Sequence, residues 1–283
     1  MLVYHETQAS PQLARYIDCF WSLESTADFA SPAPQKVPPD GRIEIVFNLA
    51  DPFRRYLSNP ATELQPLMIV VGQLRAYTTI EPTGRVNLFG IRFRPGGACA
   101  FFGLPLSELA ERILPLTDLW PLQARELAER IQAATSLTER SQVSEAFLLR
   151  HLLRADSIDV LVEAGVQRIL SKNGCLSSGS LIEGINISER QLERKFQAKV
   201  GLSPKQLARV IRFQKIFTAY ERNPLGSWIS LAYECGYYDQ AHLIRDFKEF
   251  SGQNPSGYFQ QESDLARYLM HHHRMSEFSK TDG

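Results

Sequence analysis

The chain has 283 residues, of which 44% are hydrophobic and 22% charged, and its formal net charge is zero. This composition is typical of a globular protein with room for two domains, and it argues against an intrinsically disordered chain. The four cysteines are isolated from one another, which argues against a zinc knuckle or a disulfide framework. Because the sequence shows no secretion signal and no apolar run of roughly 18 residues, we expect a cytoplasmic protein without a membrane partner.

The sequence pattern up to about residue 100 predicts short strands separated by turns. Residues 42–49 and 85–94 alternate apolar and polar side chains, and residues 68–71 form a short apolar run. Gly90 lies where the alternation slips, which indicates a bulge or a close backbone approach. Strands interrupted by proline and glycine favour an antiparallel β-barrel or sandwich, here in a regulatory domain of residues 1–154.

Three arginines in these strands are candidates for an effector pocket. Arg92 and Arg94 share one strand face and Arg42 shares another with Glu44, so such a pocket would select an anionic small molecule. A solvated strand face explains the same pattern. Because His5 is the only histidine before residue 150, we expect no metal site there. We also expect no cofactor and no catalytic residues.

Apolar residues three and four positions apart predict helices at residues 106–114, 121–134 and 138–153. These helices either complete the N-terminal core or pair with another copy of the chain, and the last is the candidate surface for a homodimer. A polar connector at residues 154–159 then leads to an all-α domain at residues 159–262. The remaining tail, which contains His271, His272 and His273, is expected to be disordered.

The sequence of this all-α domain predicts two helix-turn-helix units. The first unit has helices at residues 159–172 and 178–184, a turn at residues 185–187 and a longer helix that begins at Ser188. Ser188 and Gln191 have the spacing of a capping box, and Gly201 ends the helix. Leu192, Phe196 and Val200 share a buried face. The opposite face therefore presents charged side chains of the kind that read base edges in a DNA major groove.

The same pattern recurs further along the chain. Five residues of segment 188–204 have identical counterparts 51 positions later: Leu192, Arg194, Phe196, Gly201 and Pro204 recur as Leu243, Arg245, Phe247, Gly252 and Pro255. A helix at 227–235 and a turn at Gly236 precede the second copy. The helix predicted at 203–222, with its broad apolar stripe, joins the copies, which could enter successive major grooves if they lie about 34 Å apart.

Charge is distributed unevenly over this domain. Residues 177–220 carry eight basic and three acidic side chains, a net charge of +5, whereas residues 221–262 carry three basic and six acidic ones, a net charge of −3. The first unit should therefore hold DNA phosphates more firmly. The candidates for phosphate contacts are Lys195, Lys199, Arg209, Arg212 and Lys248.

The motif from Gly236 to Tyr258, G-Y-x-D-Q-x-H-L-x-R-x-F-K-x-x-x-G-x-x-P-x-x-Y, closely resembles the C-terminal motif of AraC/XylS-type transcription regulators. Segment 188–204 resembles the first helix-turn-helix of that family, so the resemblance covers about residues 159–259. It implies double-stranded DNA and RNA polymerase as partners. The segments PDGRIEIVFNL and GIRFRPGG are similar to a less characterised sensing domain found ahead of such DNA-binding domains, which implies a β-rich regulatory module.

Under this resemblance, the base-reading positions are Arg190, Glu193 and Arg194 in the first unit and Ala241, Ile244 and Arg245, with Gln240 beside them, in the second. Arginine can bond to guanine O6 and N7 together, and Arg194 is the main candidate. Glu193 either accepts from a cytosine amino group or orients an arginine. Ala241 and Ile244 offer only apolar contact, so the second unit is expected to read sequence more weakly.

We therefore expect a sequence-specific transcription regulator whose N-terminal domain modulates DNA binding. Two alternatives remain at this point. The N-terminal domain could be an enzyme fused to a DNA-targeting module, although no nucleophile and base with suitable spacing supports it. The chain could also be an interaction protein without DNA binding, because its second unit is acidic.

Overall fold

The computed structural model describes residues 2–26, 33–57, 61–152, 159–183 and 187–261. Three predicted features lie outside these ranges: the connector at residues 154–158, the turn residues Ile185 and Asn186, and the tail from residue 263 onward with its adjacent histidines. The described residues form an α+β protein, with strands in the N-terminal region (residues 2–152) and only helices in the C-terminal region (residues 159–261), as predicted.

The strands of the N-terminal region are β1 Leu2–Thr7, β2 Ile17–Ser25, β3 Gln35–Val37, β4 Glu44–Asn48, β5 Phe53–Tyr56, β6 Thr62–Leu64, β7 Met68–Val71, β8 Thr78–Pro82, β9 Asn87–Phe93 and β10 Ile113–Pro115. Within the described ranges they form a six-stranded sheet, in the order β1-β2-β9-β4-β7-β10, and a four-stranded sheet, in the order β3-β8-β5-β6. Neighbouring strands run antiparallel. The sheets do not close into a barrel, so the sandwich is the correct alternative.

Both faces of the six-stranded sheet carry apolar side chains that pack against another layer. Alternate residues of β4 and β9, such as Phe47 and Phe89, belong to a core completed by helices, because successive side chains of a strand point to opposite faces. On the other face, Trp21, Leu23 and Leu88 form a smaller core with Phe53 of the second sheet. The N-terminal region therefore has a helical layer on one side of the large sheet and a small sheet on the other.

Gly90 owes its place in β9 to a close approach. The pairing of β9 with β2 and β4 continues without a shift across Gly90, so there is no bulge at this residue. A Cβ at position 90 would lie 2.0 Å from the Trp21 ring. Of the two expected explanations, close approach is correct, but the approaching group is an indole ring rather than backbone.

The α-helices of the described residues are α1 Gln123–Ala133, α2 Leu137–Leu152, α3 Val160–Ser171, α4 Ser178–Ile182, α5 Glu189–Val200, α6 Pro204–Arg222, α7 Trp228–Glu234, α8 Gln240–Ser251 and α9 Pro255–Gln261. Short 3-10 helices occur at Gly97–Ala100, Leu106–Leu109 and Leu116–Asp118. No helix in this part of the chain has both the length and the apolar character needed to cross a membrane.

The helix expected at residues 106–114 is wrong. Only Leu106–Leu109 is helical, as a 3-10 turn, and Ile113–Pro115 is strand β10. This strand pairs with β7, where Ile113 lies opposite Val71. The apolar spacing that suggested a helix therefore serves a sheet edge, because pairing with a distant strand outweighs local periodicity.

Helix α6 joins two cores in the C-terminal region. Its N-terminal half contributes Leu207 to a core that contains Leu192 and Phe196 of α5. Its C-terminal half contributes Phe213 and Phe217 to a second core, which contains Phe247 of α8 and Tyr258 of α9. The broad apolar stripe predicted for this helix is thus packed on both sides. As a result, α5 and α8 both pack against the same helix, α6.

Candidate nucleic-acid interface

Helix α5 has the predicted caps at both ends. Ser188 Oγ accepts a hydrogen bond from the backbone N–H of Gln191 at 3.3 Å, and Gln191 Oε1 accepts one from the N–H of Ser188 at 3.1 Å. Gly201 has a φ of 87°, a left-handed conformation that favours glycine, and its N–H donates to the carbonyl of Phe196. These contacts determine where the helix begins and ends, and hence which side chains face outward.

Replacing Ser188 by alanine is expected to cost about 1 kcal/mol of unfolding free energy, because the N–H of Gln191 loses its acceptor. Ser188→Asp keeps an acceptor oxygen and should cost much less. Denaturant unfolding of the full chain, followed by circular dichroism, measures both changes. Equal losses in the two variants would contradict a capping role for this hydroxyl.

The outward face of α5 carries the residues predicted to read bases. Leu192, Phe196 and Val200 are at most 1% exposed, so the opposite face is free of the core. Arg190, Glu193 and Arg194 are all exposed. The three predicted base-reading side chains of the first unit therefore lie together on one accessible surface, as their spacing requires.

Helix α8 repeats this arrangement. Asp239 Oδ1 accepts from the N–H of His242 at 2.6 Å at the start of the helix, and Gly252, with a φ of 69°, ends it. Of the candidate reading residues, Arg245 and Ala241 are exposed. Gln240 is half-buried, and Ile244 packs partly against the core. Arg245 is thus the main polar group that the second helix presents to a ligand.

Three of the predicted phosphate-contact residues, Lys195, Arg209 and Arg212, are paired with carboxylates. Lys195 forms an ion pair with Asp159, the N-cap residue of α3. Burial opposes ionisation of Asp159, but the hydrogen bonds from Lys195 and from the first backbone N–H groups of α3 hold its pKa below the usual value. Arg209 lies 2.7 Å from Asp246 and 2.7 Å from Glu249, and its hydrogen bond to Glu249 is the main cause of a raised pKa.

Arg212, the third of these paired residues, lies 3.5 Å from Asp246 and is half-buried. The other two candidates differ in their surroundings. Lys199 lines a cavity between the N- and C-terminal regions. Lys248 is exposed, as is Lys205 in the first turn of α6, which the sequence reasoning did not single out.

The N-terminal region contacts the C-terminal ends of both α5 and α8. A Cβ on Gly201 would lie 2.9 Å from the carbonyl oxygen of Leu106. Lys36 Nζ donates to the carbonyl of Gly252 at 3.1 Å and lies 4.7 Å from the centre of the Tyr77 ring. The ends of the two candidate reading helices thus rest on the same β-rich body.

Two further contacts hold the regions together. Gln214 of α6 donates to the carbonyl of Pro39 at 2.7 Å, and Arg15 forms an ion pair with Glu163 of α3 at 2.5 Å. Because Arg15 is half exposed, solvent weakens this pair. The N-terminal region therefore contacts α3, α6 and the C-terminal ends of both candidate reading helices.

A cavity of about 330 Å³ lies between the two regions. Its walls include Arg42, Arg94 and Asp18 from the N-terminal region and Glu163 and Lys199 from the C-terminal region. Arg42 Nε donates to Asp18 Oδ2 at 3.1 Å, and Arg94 Nη2 lies 3.9 Å from Asp18 Oδ1. The site combines cationic and anionic groups around a space large enough for a small molecule.

The electrostatics of Asp18 depend on its neighbours. Burial raises the pKa of this carboxyl, but the positive charges of Arg42, Arg92 and Arg94 outweigh burial and hold its pKa below the usual value. Asp18 is therefore ionised at neutral pH, and it offsets part of the positive charge of the cavity.

Arg92 is not among the residues that line this cavity. It is 3% exposed, forms an ion pair with Glu44 and lies 5.8 Å from the centre of the Trp21 ring. Of the three arginines predicted for an effector pocket, the structure brings Arg42 and Arg94 together and places Arg92 in the sandwich.

Sequence reasoning missed two buried carboxylates that organise these sites. Asp18 lies within the otherwise apolar start of β2, and Asp246 lies on the same helical face as Leu243 and Phe250. A carboxylate at a core position is a recognisable signal, since buried charges are normally paired. The identity of the partners is not readable from local sequence. Among the described residues, no cluster of His, Cys, Asp and Glu is suited to a metal ion.

Comparison with known families identifies two regions of the chain. Residues 181–261 match the family described as Helix-turn-helix domain, which agrees with the AraC/XylS-type resemblance. Residues 5–115 match the family described as Domain of unknown function (DUF6597). No curated protein matches the chain.

Among solved structures, several of ToxT from Vibrio cholerae align with most of the chain. A 1.65 Å structure has 9% identity and a TM-score of 0.46, and covers 92% of this chain and 97% of that one. ToxT bound to (E)-4-(8-methylnaphthalen-1-yl)but-3-enoic acid has 9% identity and a TM-score of 0.46, with coverages of 95% and 98%. ToxT bound to an unsaturated fatty acid has 11% identity and a TM-score of 0.43, with coverages of 91% and 94%.

Proposed function

The C-terminal region is an AraC-type helix-turn-helix domain, and from this premise we propose that the protein is a sequence-specific transcription regulator whose α5 and α8 read successive major grooves of DNA. The observation that carries the proposal is the repeated arrangement of these helices. Each has 12 residues, a capped start and a terminal glycine, and each exposes an arginine at the matching position, Arg194 or Arg245. The division into a regulatory domain of residues 1–154 and a DNA-binding domain of residues 159–262 is part of this proposal.

Spacing supports simultaneous entry into two grooves. Helix α6 has 19 residues, so it is about 28 Å long at 1.5 Å per residue. One turn of duplex DNA is about 34 Å, which is the same scale. Because the cores of the two units lie at opposite ends of α6, the length of α6 sets the separation of α5 and α8, and both are proposed to lie on the same side of the duplex.

Base reading is assigned to the exposed polar groups. Arg190 and Arg194 can each donate two hydrogen bonds to guanine, and Glu193 can accept one from cytosine. In the second unit, Arg245 and the half-buried Gln240 supply the polar contacts. Ala241 contributes at most an apolar contact to a thymine methyl group, and the packing of Ile244 against the core limits its reach.

Binding-site selection from random duplexes with the full chain tests this function. The expected result is an enriched motif of two blocks whose centres are about 10 base pairs apart. A mobility-shift titration then compares the selected duplex with a scrambled one at fixed salt. Absence of enrichment, or equal affinity for both duplexes at moderate salt, would refute sequence-specific binding.

Modulation by the N-terminal domain is proposed to act through the interdomain cavity. A small anionic molecule bound there would pair with Lys199 and with the terminal nitrogens of Arg94, whose side chain is 31% exposed, whereas that of Arg42 is 7% exposed and is bonded to Asp18. Such a ligand touches both domains at once. It would therefore change the contacts between the N-terminal domain and the ends of α5 and α8. The positions of these two helices relative to each other, and so their fit to DNA, would change with them.

Replacing Arg94 by glutamine is expected to abolish thermal stabilisation by carboxylate ligands. A ligand at 100 times its dissociation constant stabilises a protein by about 2.7 kcal/mol, which a melting curve detects. A panel of small carboxylates is screened against the wild-type chain, and active compounds are then tested on R94Q. The control is R54Q, whose ion pair with Glu81 lies on the second sheet. Equal stabilisation of wild type and R94Q would place the ligand elsewhere.

RNA polymerase and a second copy of the chain are further partners in this proposal. Helix α2, the expected dimer surface, packs on the N-terminal core through Phe147 and Leu148. Its outward residues include Glu139, Gln142 and Arg150, so contact between copies through this helix would be largely polar. Sedimentation velocity over a range of concentrations measures whether the dimer forms.

A further inference from the structure

Asp246 is a nearly buried carboxylate on the inner side of α8. It follows the candidate reading residue Arg245 directly, and it is 4% exposed. Arg209 of α6 donates to Asp246 Oδ1 at 2.7 Å, and Arg212, one turn further along α6, lies 3.5 Å from Oδ2. His242 of α8 lies 4.0 Å from the same oxygen. The carboxylate therefore joins two turns of α6 to α8.

Each arginine is also held by a second group. Arg209 donates to both oxygens of Glu249, at 3.1 and 2.7 Å, and its guanidinium lies 5.0 Å from the centre of the Phe250 ring. The guanidinium of Arg212 lies 4.6 Å from the centre of the Tyr237 ring, and Tyr237 is 3% exposed. Planar guanidinium groups with both a carboxylate and an aromatic partner have little freedom to turn toward another ligand.

We propose that Asp246 is a positioning residue, which sets the orientation of α8 against α6 and so the angle at which Arg245 meets DNA. Arg209 and Arg212 serve this purpose instead of binding phosphates. The inference rests on the proposed DNA-binding function. It assigns two basic residues of segment 177–220, Arg209 and Arg212, to the contact between α6 and α8. Burial is the physical reason, because a carboxylate removed from water holds its cationic partners firmly.

Salt dependence separates positioning from phosphate contact. Each phosphate contact adds about −0.9 to the slope of log affinity against log salt. Full-chain R209Q and R212Q are therefore titrated on the selected duplex and on a scrambled duplex at several salt concentrations. We expect both slopes to stay at the wild-type value. A slope shallower by about 0.9 in either variant, with equal weakening on both duplexes, would overturn the proposal.

A second measurement follows base discrimination in each half of the site. Two duplexes are used, one scrambled in the half bound by α5 and one in the half bound by α8. D246N is expected to lose about tenfold in discrimination at the α8 half and to keep wild-type discrimination at the α5 half. D246E keeps the charge and is expected to restore most of the loss. Unchanged discrimination at the α8 half, or equal loss at both halves in a chain with wild-type circular dichroism, would overturn the proposal.

The two failures can be told apart. A wild-type chain that selects no motif defeats the proposed function, whereas a wild-type chain with a two-block motif and D246N with the same motif defeats only the positioning role. If D246N does not fold, the R209Q and R212Q slopes decide the matter. E234Q is the matched control, since Glu234 pairs with Arg222 of α6 at an exposed site and its loss leaves Asp246 paired with both arginines.

Discussion

Replacing Arg194 by alanine is expected to weaken binding to the selected duplex by about 1 to 3 kcal/mol, which is roughly 5- to 150-fold in affinity. Arg194 is exposed on the outward face of α5, and within the described part of the chain it forms no ion pair that would have to be released before it binds DNA. A guanidinium that bonds to both O6 and N7 of a guanine distinguishes that base from the other three. The variant should therefore also accept any base pair at one position of the site.

The measurement is a salt-controlled mobility shift combined with a repeated site selection. Arg194→Lys is expected to recover part of the affinity but not the base preference, because an ammonium group cannot form the paired contact. Arg130→Ala removes an equal charge from an exposed position on α1 and is the control for a general charge effect. Unchanged affinity and base preference in Arg194→Ala would show that α5 does not read the duplex with this face.

Replacing Arg92 by methionine is expected to lower the unfolding free energy by about 3 to 5 kcal/mol, the range found when one partner of a buried ion pair is removed. Arg92 has 3% of its side chain exposed and its partner Glu44 has 16%. Burial already raises the pKa of Glu44, and the charge of Arg92 opposes that rise. Without the guanidinium, the carboxylate would be left in the sandwich with its main counter-charge gone.

The destabilisation should depend on pH with a definite sign. In the variant, the pKa of folded Glu44 is raised above its unfolded value, which is near 4.5. The folded state then binds the proton more tightly than the unfolded state, so stability falls as the pH rises through the interval between the two pKa values. R92M should accordingly lose more stability at pH 7 than at pH 5, as measured by denaturant unfolding at both values.

A matched comparison isolates burial as the cause. Arg54→Met breaks the ion pair with Glu81 on the second sheet, where the arginine side chain is 42% exposed. Solvated ion pairs contribute little, so this variant should unfold almost like wild type. The double variant R92M/E44Q removes both charges and should recover part of the loss. If R92M and R54M lost equally little unfolding free energy, the buried pair of Arg92 and Glu44 would not be stabilising the sandwich.

Local sequence correctly predicted the bounds and caps of α5 and α8, the two candidate reading helices. The capping oxygens of Ser188 and Asp239, the terminal glycines and the four-residue spacing of Leu192, Phe196 and Val200 all act within one or two helical turns. Interactions of such short range are the same in any surrounding fold. The local sequence of residues 188–201 therefore predicts both the helix and its exposed face, and the local sequence of residues 239–252 predicts the same for the repeat.

Other features escaped because they depend on distant residues. The apolar spacing at residues 106–114 suits a helix, yet Ile113 pairs with Val71 of β7. Lys199 carries the charge expected of a phosphate contact, and only the folded structure shows that it also lines the cavity between the two regions. Each local pattern is compatible with two environments, and only the packing of the folded chain selects one of them.

Taken alone, the sequence determined the α+β class, the duplicated helical unit, the caps of its helices and the exposure of Arg194 and Arg245, because these follow from periodicity and from hydrogen bonds between near neighbours. Only the tertiary structure decided that the sheets remain an open sandwich, that Arg92 belongs to Glu44 and that Arg209 and Arg212 belong to Asp246. The reason is physical: a charge selects its partner by distance in space, and distances between residues far apart along the chain exist only after it has folded.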